Sequence, residues 1–359
     1  MTHPYIGLPT IAYWKTGVAA LNPLQLSGLW QPKFPVTGED RIVTAGSCFA
    51  QHIGRALSAR GYRWLDAEPA PPFLKPEDAS AYNYGIFSFR TGNIYSARIL
   101  RQWLEMAFGA EVPACLNWET EGRFFDGLRP AIEPNGFETL GEMIASREAC
   151  FAAIRKAVNQ GSVFVFTLGL TESWYDAESD TEFALCPGTV AGTFDAQQHK
   201  FRNHRHAGIL KDMKAAIKLI RRKNPEMRVL LTVSPVPLTA TASGAHVLTA
   251  TSRSKSTLRA VAAELAEDYD FVDYFPSYEI ITHPVWRGMF YAPNQRSVVS
   301  EGVDVVMGHF FADQDRAYPD RAKPDQGGKG KAGADTKRAQ NPDAGDVKCE
   351  EELLNAFAR

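Results

Sequence analysis

The chain has 359 residues, 45% of them apolar and 22% charged, with a formal net charge of -2. That composition suits a globular fold of one large domain or two small ones. A balance so near neutral excludes a general nucleic-acid binder, which carries a basic excess.

Residues 1–10 have neither the basic n-region nor the apolar run of a signal peptide, and nowhere does an apolar run approach the roughly 18 residues a membrane helix needs. Residues 41–46 (RIVTAG) predict a strand, followed by a helix through 49–57 that stops near Gly61. The stretch from Ala67 to Asn159 is less regular, with helices predicted at 99–108 and 143–158, and reads as a large insertion over the sheet. Residues 163–169 (VFVFTLG) form a second buried strand, and a helix at 208–223 is stopped by Asn224-Pro225. The third strand is 228–234, broken by Pro235 and Pro237. A helix at 254–268, a strand at 271–275 and a helix at 300–311 complete the series. Near-continuous apolar strands alternating with helices predict a doubly wound parallel α/β sheet, three-layered and flavodoxin-like, in a single domain over 1–312. From Asp313 to Asp346 large apolar side chains almost vanish, which predicts a disordered linker. Residues 347–359 regain helical spacing, with Val347, Leu353, Leu354 and Phe357 on one face to dock on this domain or on a partner.

The five cysteines, Cys48, Cys115, Cys150, Cys186 and Cys349, are scattered and form no Cys-x-x-Cys pair. A reduced compartment, the cytoplasm, is the expectation. His204 and His206 lack a nearby third ligand, so no metal is expected; they read as a polar helix start.

Ligands of open α/β sheets bind beyond the carboxyl ends of the strands. Ser47, Thr171-Glu172, Ser234 and Asp273 stand at the four predicted strand ends and should face one crevice. A Gly-Ser pair at a strand-to-helix turn places the Ser47 hydroxyl where N–H groups and the helix dipole favour an oxyanion. The alternative is a plain N-cap. Cys48 reads as a reactive thiol or as a small core residue. The rings of Tyr82, Tyr84, Phe87, Phe89 and Tyr95 form either a sugar-stacking wall or a packed lid.

Gly46-Ser47-Cys48-Phe49-Ala50 resembles the motif that names the GSCFA domain family, a branch similar to SGNH/GDSL esterases. Segments 83–95 (NYGIFSFRTGNIY), 167–174 (TLGLTESW), 232–237 (TVSPVP) and 273–279 (DYFPSYE) are similar to that family too, in the same order. The resemblance implies an SGNH-like fold with Ser47 in the nucleophile block. Gly92-Asn93, or Gly85, then supplies the second, oxyanion-binding block, and Thr171-Glu172 stands at the third. An ionised Glu172 only accepts hydrogen bonds, so it either takes a proton there or pairs with Arg90 or Arg98. The Asp-x-x-His block falls on Asn294 and Ser297, which removes both catalytic side chains. His246, on the loop after the third strand, is the first choice of replacement base, ahead of His283 and His52. The resemblance implies an acyl-ester hydrolase or acyltransferase for a small-molecule or glycan ester, working through an acyl-enzyme on Ser47 without cofactor, nucleic acid or membrane. The missing block leaves a second reading, a carbohydrate-binding protein that keeps the crevice but not the base.

Overall fold

The computed structural model describes residues 3–324 and 349–358. Its elements begin with β1 (Arg41–Gly46), α1 (Phe49–Ala59), β2 (Arg63–Trp64), α2 (Pro76–Ala79), α3 (Ala97–Ala107), β3 (Asn117–Thr120), β4 (Arg123–Asp126) and α4 (Leu140–Gln160). They continue with β5 (Val163–Leu168), β6 (Glu172–Asp176), β7 (Glu182–Phe183), β8 (His199–Asn203) and α5 (His206–Lys223). The last are β9 (Arg228–Val233), α6 (Val247–Asp268), β10 (Val272–Tyr274), α7 (Ser277–Thr282) and α8 (Ser300–Ala317).

Side chains of a strand alternate between its two faces, and the central strands are apolar on both. Val43, Ala45, Phe164, Phe166, Val229 and Leu231 enter one core with Trp103 of α3, Ile154 of α4, Ile217 of α5 and Val261 of α6. Ile42, Val163, Val165 and Leu230 enter the other with Ile53 of α1, Ile280 of α7 and Phe310 of α8. The sheet between them has five parallel strands in the order β2-β1-β5-β9-β10. Counted within that sheet alone the order is 2-1-3-4-5, the flavodoxin-like arrangement. The expected doubly wound, three-layer fold is therefore present.

The stretch from Ala67 to Asn159 is only in part an insertion. A capping box between Thr139 and Glu142 starts α4, and α4 then packs on the sheet as one of its covering helices. The preceding part carries the β3–β4 hairpin. Beyond β5, an antiparallel sheet of β7, β6 and β8 stands beside the main one. Sequence reading misses it because β8 (HKFRN) has a single large apolar residue, Phe201. Helix α6 begins earlier than its apolar pattern does, with His246 as N-cap.

The boundary expected at Asp313 is a further correction. Helix α8 runs to Ala317, and its polar end clasps the irregular backbone of residues 30–36. Asp313 accepts the Trp30 N–H at 2.8 Å, and Gln314 accepts the Val36 N–H at 2.9 Å while donating to the Phe34 carbonyl at 3.2 Å. Arg316, Tyr318 and Arg321 donate to the carbonyls of Trp30, Pro32 and Val36. A buried segment without strand partners needs such groups for its backbone, so a polar composition here marks structure. The part of the expected linker from residue 325 to 346, and Val347 after it, lie outside the described residues. Asp313→Ala and Gln314→Ala should each cost about 1–3 kcal/mol, the cost of stranding a buried backbone group. The measurement is the urea midpoint, which should fall without a change in slope.

Candidate active site

Strand β1 turns toward α1 through Gly46, whose φ of +128° and whose missing Cβ, which would lie 2.4 Å from the Thr167 carbonyl oxygen, together demand glycine. The turn lets Ser47 N–H donate to that same carbonyl at 3.0 Å. Gly169 at the end of β5 is also tightly placed, since a Cβ there would meet Ser47 Cβ and the Tyr95 carbonyl oxygen, each at 3.0 Å. The Ser47 side chain sits in this gap, 2% exposed, and its Oγ has no hydrogen-bond partner among the described residues. The N-cap role for Ser47 is thereby excluded: α1 has no side-chain cap bond and its N-cap position is Cys48.

Residues 93–95 cross the carboxyl ends of β1 and β5. Ile94 N–H donates to Gly46 O, and the Tyr95 carbonyl accepts from the N–H groups of Gly169 and Leu170. Asn93 is thus fixed beside the serine turn, 2% exposed, with its Oδ1 accepting from Gln51 at 3.4 Å. Its Nδ2 and backbone N–H point to the carboxylate of Glu350, at 2.9 and 3.4 Å. A Cβ on Gly92, at φ +65°, would come within 2.8 Å of the other oxygen of Glu350. Gly85 is exposed, and a Cβ added there would meet nothing within 4 Å, whereas Gly92-Asn93 lies against the turn that carries Ser47 through the Ile94 N–H on Gly46 O.

Two cations join the site that the sequence reading did not single out. Lys255 is 1% exposed and donates to the Gly169 carbonyl at 2.8 Å. Burial lowers its ammonium to about 8, although Glu351 opposes the shift. The signal was present: Lys255 falls in the buried stripe of α6 that includes Ala250, Ser254, Leu258 and Val261. Arg296 donates to the Pro237 carbonyl at 3.2 Å and pairs with Glu352 and Glu351 at 2.6 and 3.4 Å. It is presented by a tight turn in which Asn294 and Ser297 bond each other, Nδ2 to Oγ at 2.9 Å and Ser297 N–H to Oδ1 at 2.9 Å.

The expected C-terminal helix is instead a run of 3-10 turns, Glu350–Phe357, docked on its own domain at this crevice. Glu351 is 6% exposed and accepts the Thr239 N–H at 3.0 Å; burial raises its carboxyl to about 7. Cys349 lies against Cys48. The hydrogen bond from the Cys48 thiol, helped by Arg296, lowers the Cys349 thiol to about 6.

Other expected residues fall differently. His246 is exposed, and its Nδ1 accepts the Leu248 N–H at the start of α6. No histidine bonds Ser47 Oγ, so His246 as its base is corrected. His283 caps a turn through Val285 N–H and rests on Trp14. His52 is lowered to about 4 by burial and by Arg55. Thr171 is engaged on both donors, its N–H to Ser254 and its hydroxyl to Asn203, so it supplies no oxyanion donor. Glu172 accepts from Thr241 Oγ at 2.7 Å, Asn203 Nδ2 at 3.3 Å and Ala242 N–H at 3.3 Å. It anchors the loop after β9 rather than pairing with Arg90 or Arg98, which bind Glu133 and Asp180 respectively. Ser47, Thr171 and Ser234 do share the carboxyl edge of the sheet. Asp273 does not, because β10 registers it with Leu230, where it accepts the Lys33 N–H at 2.8 Å. Phe87, Phe89 and Tyr95 are buried and Tyr84 stacks under Arg90, so the aromatic segment is a packed lid and not a sugar wall. His204 bonds Glu182 and His206 pairs with Glu264. Among the described residues no group of three or more His, Cys, Asp or Glu is placed to hold a metal ion. All five cysteines are unpaired by disulfides, and no described helix is long and apolar enough to cross a membrane.

A doubly wound parallel sheet with a buried serine in the glycine turn after its first strand defines the architecture and the candidate site of this α/β protein. The chain belongs to the GSCFA family, whose model matches residues 41–310. Among solved structures it is similar to a Clostridium thermocellum family 3 carbohydrate esterase, at 10% identity over 76% of this chain and 94% of that one, with a TM-score of 0.26. That likeness is too low to bear on the site. No curated protein matches the chain.

The anchoring role of Glu172 has a measurable consequence. Glu172→Ala should cost about 1.5–3 kcal/mol, as expected for hydrogen bonds to a charged acceptor, and should speed proteolysis within 240–246. Loss of Ser47 reactivity toward a phosphonate, with stability intact, would instead return Glu172 to the oxyanion block.

Proposed function

We propose that this protein is an SGNH-like serine acyl-ester hydrolase or acyltransferase that forms an acyl-enzyme on Ser47. The observation that carries this reading is a buried serine hydroxyl, without a partner among the described residues, set between the obligatory Gly46 and the tightly placed Gly169 beside the amide donors of Asn93. In the reaction Ser47 Oγ attacks the ester carbonyl and gives its proton to a base. Because Ser47 N–H is already held by Thr167, the tetrahedral oxyanion falls to Asn93, through its backbone N–H and Nδ2. Collapse expels the alcohol, which takes the proton from the conjugate acid of the base. Water, or an acceptor alcohol, then attacks the acyl-enzyme and releases Ser47.

Lys255 is the base in this proposal. Its amine is held on the carbonyl of Gly169, where an added Cβ would lie 3.0 Å from Ser47 Cβ, and burial brings it to about 8. The role requires the Lys255 side chain to turn from that carbonyl toward Ser47 Oγ, and catalytic hydrogen bonds are commonly long before substrate binds. The aromatic segment gives no preference for a sugar alcohol, since Phe87, Phe89 and Tyr95 are buried and Tyr84 is stacked on Arg90. The base-free binding protein remains the competing reading, supported by the lack of a partner on Ser47 Oγ.

A fluorophosphonate should label Ser47, and Ser47→Ala should abolish labelling. A base acts in its neutral form, so the rate should rise with pH through about 8, where Lys255 loses its proton. Lys255→Met should slow it by about 100- to 10,000-fold, the range of general-base contributions, while His246→Ala should leave it unchanged. A midpoint near the histidine value of about 6.5, lost in His246→Ala, would reverse that assignment. An intact fold that labels under no condition would favour the binding protein.

A further inference from the structure

The segment Glu350–Phe357 is acidic at its start and apolar further on, and the two halves rest on surfaces of matching character. Glu350 places its carboxylate on Nδ2 and N–H of Asn93, the donors that the proposed reaction aims at the oxyanion. Glu351 and Glu352 pair with Arg296, and Glu351 N–H donates to the Tyr95 hydroxyl at 3.3 Å. Leu354 and Phe357 then form one side of a cavity of about 450 Å³. Its other walls include Tyr95, Leu170, Trp174, Phe183 and Leu238. Tyr95 and Leu170 are also bonded to each other through the backbone next to Gly169, which sets the cavity at the same carboxyl edge of the sheet as the Ser47 turn. Its size is that of a small-molecule pocket, about 300–1,000 Å³, and its lining is mostly apolar, as such pockets are.

We propose that this segment is a built-in competitor occupying the place of the substrate, and that the substrate is an ester of an apolar, medium-length acyl chain. Glu350 takes the position of the reacting carbonyl, and Leu354 with Phe357 the mouth of the acyl-chain site. The inference rests on the reading of Ser47 and Asn93 given above. A tethered occupant acts at an effective concentration in the millimolar range, so a weak contact suffices to hold the site closed. Substrate enters by displacing the segment, and its acyl chain enters the cavity.

The test uses the full chain and dodecanoate, a carboxylate head on an apolar chain, with hydrogen exchange read on residues 349–358. Dodecanoate should speed exchange in that segment about tenfold, and Glu350→Ala combined with Leu354→Ala should bind dodecanoate about tenfold more tightly than the wild type. Binding that leaves the exchange of the segment unchanged, or equal affinity in the two proteins, would overturn the competitor. Absence of binding in both would overturn the acyl-chain cavity. Neither readout needs Ser47 to react, so failure of the serine chemistry shows separately, as loss of phosphonate labelling in a protein that still binds dodecanoate. If the chemistry also holds, the double variant should label about tenfold faster than the wild type.

Discussion

Three stretches of backbone meet at the carboxyl end of the sheet more closely than side chains permit. Gly46 bends under the Thr167 carbonyl, Gly169 lies against Ser47, and residues 93–95 bond across both. A Cβ on Gly46 would strike the Thr167 carbonyl, and backbone hydrogen bonds from Ser47 and Ile94 and to Tyr95 tie the three stretches together, so main chain holds the turn that carries Ser47. Such sites are rigid, and rigidity is what holds donors at the place where charge develops instead of reorienting them during reaction. Asn93 inherits the same constraint, because the residue after it is tied to Gly46.

The charges around that turn come from elements remote in sequence. Lys255 enters from α6, Arg296 from the turn before α8, and the three glutamates from beyond residue 349. A lysine 1% exposed is costly unless it is paired or partly neutral, and here it has a carbonyl acceptor and a nearby carboxyl. Asn294 and Ser297 bond to each other. The turn they close presents Arg296 to the carboxylates of Glu351 and Glu352.

Much of the fold was legible in the sequence because both faces of the sheet are covered. That burial turns β1, β5 and β9 into unbroken apolar runs, and the helices between them carry a clear stripe. The serine turn was legible through its resemblance to the GSCFA motif, since a glycine before serine at a strand end serves a plain N-cap equally well. Polar residues in structural roles were not legible. Asp313 and Gln314 resemble the start of a linker by composition, yet they complete the backbone of residues 30–36. Glu172 resembles a catalytic acid, yet it holds a loop. Lys255 was hidden by the habit of reading charge as surface, and His246 was favoured for its chemistry when its place is a helix cap. In each case periodicity reports which face is buried but not which buried polar group has a partner.

The clasp between α8 and residues 30–36 also bears on how the protein is made. Trp30 and Asp313 are 283 residues apart in the chain. At synthesis rates of about 5–20 residues per second, Asp313 is added roughly 15–60 s after Trp30. For most of that interval Trp30 lacks both of its aromatic partners, Phe275, which it meets edge-on, and Phe310, on which it stacks. On that face of the sheet α1 and α7 are synthesised before α8, which completes the core with Val306, Met307 and Phe310. The nascent chain therefore carries one incompletely covered face until its last helix is made, and this is the face that would gain from protection during translation.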